Sequence, residues 1–204
     1  MSRKLEGIEL TLVRGERCLF EGLSFALGPG AALLLEGENG SGKTSLLKAI
    51  AGMLDLESGE VLWGGQPIRA VRQEFCREVV WMAHRVGLKA DLTLLENLRF
   101  ESTLRPASMD KLDEVLERLA LTRLRRLPLR SLSAGQQRRV ALARMVLSAA
   151  ELWLMDEPFT NLDRAGRDLV MDIVNEHLST GGMCVMAAHQ DVPLHAPTER
   201  IQLQ

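Results

Sequence analysis

Gly37-Glu38-Asn39-Gly40-Ser41-Gly42-Lys43-Thr44 stands between an apolar run, residues 31–36, and a segment, 43–51, whose apolar residues recur at helical spacing before Gly52. A short buried strand therefore delivers the chain into the loop and a helix carries it away. That succession commits the chain to an α/β fold with a mostly parallel core sheet. Glycines at 37, 40 and 42 let backbone N–H groups wrap a phosphate chain at a helix N-terminus, where the dipole already favours anions. Lys43 adds a point charge suited to β- and γ-phosphates, and the Thr44 hydroxyl is a magnesium ligand of the right hardness. A glycine-rich turn with a chance lysine is the bland alternative, and the flanking strand and helix argue against it.

A second element is Glu151-Leu152-Trp153-Leu154-Met155-Asp156-Glu157-Pro158, an apolar strand that ends in two adjacent acids. Neighbours in a strand point to opposite faces, but at a strand's end the chain turns and both acids approach one site. Asp156 is placed to complete a magnesium shell, and Glu157 to orient or deprotonate an attacking water. Pro158 stops the ladder.

A third is Leu132-Ser133-Ala134-Gly135-Gln136. Ser133 and Gln136 have capping-box spacing, which makes Ser133 the N-cap of a helix over Ala134–Leu147. Gly135 costs that helix stability unless its missing side chain lets something approach the backbone, and a phosphate is the candidate.

The rest of the chain frames these elements. Residues 8–13, 18–25 and 60–63 read as strands followed by glycine-bearing turns, a small antiparallel layer beside the core, and 77–82 as a further core strand. From about residue 91 to 129 no strand pattern appears. Thr93 with Glu96 caps a helix over 93–102, and 111–121 is amphipathic, so a helical lobe is inserted between loop and acidic strand. The expected partition is 1–84 and 149–204 for the core with its β layer, and 85–148 for the lobe. Asp163 is placed to cap a helix over 164–178, and His189 stands just past an apolar strand at 183–188, where open parallel sheets keep their ligands.

Composition narrows the function classes. The formal net charge of -2 gives no global pull towards nucleic acid. From Arg118 to Arg144, both included, there are eight arginines and no acid, a run read first as a solvated face. Cys18, Cys76 and Cys184 lack metal or disulfide spacing, which fits a reducing compartment. No apolar stretch approaches the roughly eighteen residues of a membrane span, and the first ten residues lack the apolar core of a signal peptide.

Taken in order, the loop at 37–44, the pentapeptide at 132–136, the acidic strand at 152–158, Asp163 and His189 resemble the nucleotide-binding subunit of ABC transporters over nearly the whole chain. That likeness implies an ATP- and magnesium-dependent hydrolase working as a head-to-tail homodimer. Each ATP would be held by the 37–44 loop of one chain and by Ser133, Gly135, Gln136 and Asp163 of the other, with Glu157 activating water and His189 sensing the γ-phosphate. Segments 59–72, 82–100 and 156–163 further resemble the branch attributed to heme export and c-type cytochrome maturation. In that branch His84 takes the place of the usual Q-loop glutamine and becomes a candidate metal ligand. The aromatic that stacks on adenine is missing, and the aligned position falls near Arg14, whose guanidinium is the candidate stacking group. The implied partners are integral membrane subunits of the CcmB and CcmC type and, indirectly, the heme chaperone CcmE. The implied place is the cytoplasmic face of a bacterial inner membrane, as a peripheral subunit without nucleic acid. Another small exporter, of lipoprotein or small molecules, and a soluble ABC ATPase of translation or DNA repair remain the alternatives.

Overall fold

The computed structural model describes residues 3–84, 87–188 and 192–204. The chain opens with β1 (Leu5–Arg14), turns at Gly15 and returns as β2 (Arg17–Leu27). The apolar run forms β3 (Ala32–Glu36), and α1 (Lys43–Ile50) leaves the glycine-rich loop. β4 (Ser58–Trp63) and β5 (Gln66–Pro67) join the first two strands in an antiparallel sheet of order β2-β1-β4-β5. α2 (Arg72–Glu78) runs directly into β6 (Val79–Met82). Between that strand and β7 (Leu152–Asp156) come α3 (Leu94–Leu104), α4 (Leu112–Arg118) and α5 (Ala134–Leu147), with short 3-10 turns among them. α6 (Arg164–Ser179), β8 (Met183–Ala187) and β9 (Thr198–Gln202) follow.

The core sheet has the order β6-β7-β8-β3-β9, all parallel. Its strands alternate so that each face builds its own core. Leu33 and Leu35, Leu152 and Leu154, Val185 and Ala187 face the antiparallel layer, α1 and α2. Ala32 and Leu34, Trp153 and Met155, Cys184 and Met186 face the opposite way, against α5, α6 and the helical lobe. Each large side chain so buried stabilises the fold by about 1.5–3 kcal/mol. These strands read as near-continuous apolar runs because both sheet faces are covered.

Some elements differ from the sequence reading. Residues 77 and 78 belong to α2, a helix with a single buried residue, Phe75, packed edge-on to Trp63 at 5.6 Å. α4 stops at Arg118, where Ala120 takes a left-handed φ of 54° and ends the helix early. β9 had no local signal at all. The arginine run is not one solvated face: Arg138 is buried, Arg144 nearly so, and Arg118, Arg125 and Arg130 pair with Glu176, Asp113 and Asp91. The three cysteines are free, and burial pushes the Cys184 thiol up to about 12. No helix among the described residues is long and apolar enough to cross a membrane.

One half-buried histidine shapes the end of the sheet away from the glycine loop. The His177 ring stacks on Trp153 at 4.0 Å and 9°, and its Nε2 lies 3.2 Å from the Met183 carbonyl, to which it donates. A Cβ on Gly182 would fall 2.2 Å from the ring, so only glycine fits there. Burial lowers the His177 pKa to about 4, against 6.5 when exposed. The unfolded chain thus binds this proton at a pH where the folded chain does not, and stability falls as pH drops from 6.5 towards 4. The expected loss approaches about 3 kcal/mol. Denaturant midpoints at pH 7 and pH 4.5 should separate strongly for the wild type and less for His177→Gln; equal separations would rule out His177 as the cause.

Candidate functional site

The glycine loop takes its shape from close packing on both sides. Gly42 is the N-cap of α1 with φ 105° and no side-chain cap, so the first N–H groups of the helix are offered to the loop interior. A Cβ on Gly37 would lie 2.4 Å from the Leu203 carbonyl and 2.7 Å from Ser41 Oγ, so the residue just past the C-terminal strand presses directly on the loop. Lys43 is buried, and its Nζ donates to the carbonyls of Gly37 at 2.7 Å and Glu38 at 2.8 Å. Ser41 Oγ is buried and has no hydrogen-bond partner among the described residues. A hydroxyl and a row of N–H donors around an ammonium suit a phosphate chain.

The acidic strand reaches this loop from the neighbouring part of the sheet. Thr44 Oγ1 donates to both oxygens of Asp156, at 3.1 and 3.0 Å, across 112 residues of sequence. Asp156 is only 2% exposed. Among the described residues no group of three or more His, Cys, Asp or Glu is placed to hold a metal. A hydroxyl and one carboxylate fit magnesium, which takes oxygen ligands and completes its octahedron with phosphate and water. Glu157 turns out of the strand with a left-handed φ of 54° while its N–H donates to the Ala187 carbonyl at 2.9 Å.

The pentapeptide forms the cap its spacing predicts. Gln136 N–H donates to Ser133 Oγ at 3.2 Å, and Ser133 N–H donates to Gln136 Oε1 at 2.9 Å. A Cβ on Gly135 would sit 3.0 Å from the Asn161 carbonyl, so this glycine already has a reason within one chain: it lets the 161–163 loop approach α5. Asp163 caps α6, its Oδ1 accepting from Gly166 N–H at 2.8 Å.

The remaining candidates are placed less centrally. Arg14 is exposed at the tip of the β1–β2 hairpin, whose Leu19 lies 3.3 Å from where a Gly42 Cβ would stand. His84 is exposed two residues past β6 and accepts from Arg138 through its backbone carbonyl. His189 lies outside the described residues.

Two residues escaped the sequence reading. Arg138, on α5, donates to the carbonyls of Ala83 at 3.0 Å, His84 at 3.3 Å, Asp156 at 3.2 Å, Pro158 at 3.3 Å, and Glu157. Burial lowers its pKa, and Asp156 and Glu157 work against that shift. Asn97 is buried and ties down residues 89–93, donating to the Lys89, Leu92 and Thr93 carbonyls and accepting from Lys89 N–H at 2.8 Å. Neither has a local signal, because its partners are backbone carbonyls.

A glycine loop between β3 and α1, a hydrogen-bonded Thr–Asp pair beside it and a capped helix at the end of an inserted lobe define a P-loop ATPase. The ABC transporter family model matches residues 20–160. Across 192 residues, the chain is 43% identical to the cytochrome c biogenesis ATP-binding export protein CcmA of Pseudomonas aeruginosa, covering 93% of this chain and 95% of that one. It is 42% identical to the Escherichia coli K12 protein of the same name, over 97% of this chain and 94% of that one. A solved Pyrococcus furiosus structure assigned to an ABC transporter ATP-binding protein superposes with a TM-score of 0.85 at 24% identity, covering 98% and 97% of the two chains. The chain belongs to the ABC transporter ATPases, and within them to the CcmA group.

Ser133→Ala should cost the chain about 1 kcal/mol by uncapping α5, and Ser133→Thr much less. Urea midpoints of the two variants test this; equal midpoints would mean that the box contributes nothing.

Proposed function

We propose that the chain is the ATP-hydrolysing subunit of an exporter that serves heme delivery in c-type cytochrome maturation. The observation that carries the hydrolytic part is the Thr44–Asp156 pair, which holds the glycine loop and the acidic strand at one point. The names of the relatives support the process: each is a cytochrome c biogenesis ATP-binding export protein.

On this reading the backbone of residues 37–44 and the Lys43 ammonium grip the phosphates. Thr44 and Asp156 hold magnesium, which when bound neutralises charge on the β- and γ-phosphates. Glu157 orients the attacking water and takes its proton. Arg14 stacks on the base, and His189 meets the γ-phosphate. Ser133, Gly135, Gln136 and Asp163 act on the ATP of a second copy, so the working unit is a homodimer. The partition into a core, 1–84 and 149–204, and a lobe, 85–148, places the two ATP-facing surfaces on different parts of one chain. His84 stands at the lobe's root, and its role is to relay rather than to bind metal, since magnesium prefers oxygen. Membrane subunits of the CcmB and CcmC type complete the exporter at the cytoplasmic face of the inner membrane, and turnover frees heme-loaded CcmE.

Lys43→Ala should abolish ATP binding, whereas Glu157→Gln should bind ATP and lose turnover by about 10²–10⁴-fold. Radiolabelled ATP binding and phosphate release on the assembled complex separate the two. Normal turnover in Glu157→Gln would remove that residue from the chemistry. Deleting the gene in its host should abolish heme staining of c-type cytochromes; undiminished staining would refute the cargo assignment and leave the ATPase standing.

A further inference from the structure

Arg138 stands between two parts of the site that the sequence keeps far apart. Its guanidinium is planar and carries five N–H donors in a fixed fork. Here that fork meets the three consecutive carbonyls of Asp156, Glu157 and Pro158 on one side, and those of Ala83 and His84 on the other. The side chain is buried, so water does not replace a bond that is lost.

We propose that Arg138 is a positioning residue: it fixes the backbone that carries Glu157, and the end of β6 that carries His84, to the helix that begins at Ser133. The proposal rests on the reading of Glu157 as the residue that orients water. Three observations support it. Glu157 sits in a left-handed conformation that a non-glycine residue keeps only where its surroundings over-determine it. Its N–H is bound to Ala187 and its carbonyl to Arg138, so both ends of the residue are held from outside the turn. Arg138 also lies roughly one and a half turns beyond the Ser133 cap of a rigid helix. A shift of that helix therefore moves the guanidinium and, with it, the Glu157 turn.

A cation that merely filled space would be replaceable by another of similar length. Lysine keeps the charge but is a point donor on a flexible stem, without the fork that bridges two segments. Arg138→Lys and Arg138→Gln, made in the full chain with its membrane partners, should both fold and should keep the KM for ATP within about twofold. Their kcat should fall about tenfold to a hundredfold, the scale expected when a reacting group is displaced by an ångström or so. Thermal melts and rates across an ATP series read all three quantities, with Glu157→Gln measured alongside. An inactive Glu157→Gln beside unaltered kcat in both Arg138 variants would overturn this proposal alone. Normal turnover in Glu157→Gln would remove its premise. A rise in KM in step with the fall in kcat, or failure of both variants to fold, would reduce Arg138 to a core residue and equally overturn it.

Discussion

All five strands of the core sheet run the same way and end within about a residue of a common level. Asp156, Ala187, Leu35 and Ile201 form one row, with Met82 one residue before it and the Glu36–Gln202 pair one residue beyond. Parallel strands force every connection back across the sheet, and the loops after their carboxyl ends collect at one edge. That register is why the hydroxyl of Thr44, at the end of the glycine loop, and the carboxylate of Asp156 form a hydrogen bond. A one-residue slip of β7 would turn Asp156 to the other face and exchange the two cores.

The same alternation divides labour between the faces. The face towards the antiparallel layer supports the glycine loop: Leu19 of β2 backs Gly42, and the carbonyl of Leu203, just past β9, backs Gly37. The opposite face carries the lobe, whose α5 presents Ser133 to the outside while burying most of its length. Phosphate-gripping and signature elements thus belong to opposite sides of one sheet. That arrangement suits the homodimer proposed above, in which each chain offers one surface to its own nucleotide and another to its neighbour's.

What the sequence made legible was what depends on neighbours in the chain. The loop between strand and helix, both capping boxes, and the strands Ala32–Glu36 and Leu152–Asp156 all follow from periodicity or from contacts three residues apart. β9 did not, because its five residues alternate charge and apolarity only weakly and its partner lies more than 160 residues earlier. α2 did not either, since one buried phenylalanine makes no stripe. Gly135 shows a subtler gap. Its spacing pointed to a ligand, whereas within one chain its nearest neighbour is the Asn161 carbonyl, a contact no local pattern encodes.

The arginines show where composition misleads. β6 is the outer strand of the sheet, and the carbonyls of Val79 and Trp81 on it and of Ala83 just past it each accept from a guanidinium: Arg105 at 2.5 Å, Arg144 at 2.6 Å and Arg138 at 3.0 Å. Alternate carbonyls along a strand point the same way, so three side chains from the lobe occupy the places of a missing neighbouring strand. Burial opposes the charge on Arg138 and Arg144; Asp156 and Glu157 partly offset it for Arg138, and Glu101, beside both Arg144 and Arg105, for Arg144. A charge-assisted hydrogen bond is roughly twice as strong as a neutral one, so a buried guanidinium with several carbonyl partners recovers much of its desolvation cost. A hydrophobic seam would attach the lobe as firmly but would leave the edge carbonyls unsatisfied. A fork-shaped donor attaches it and also fixes its register along β6, the strand that leads to His84.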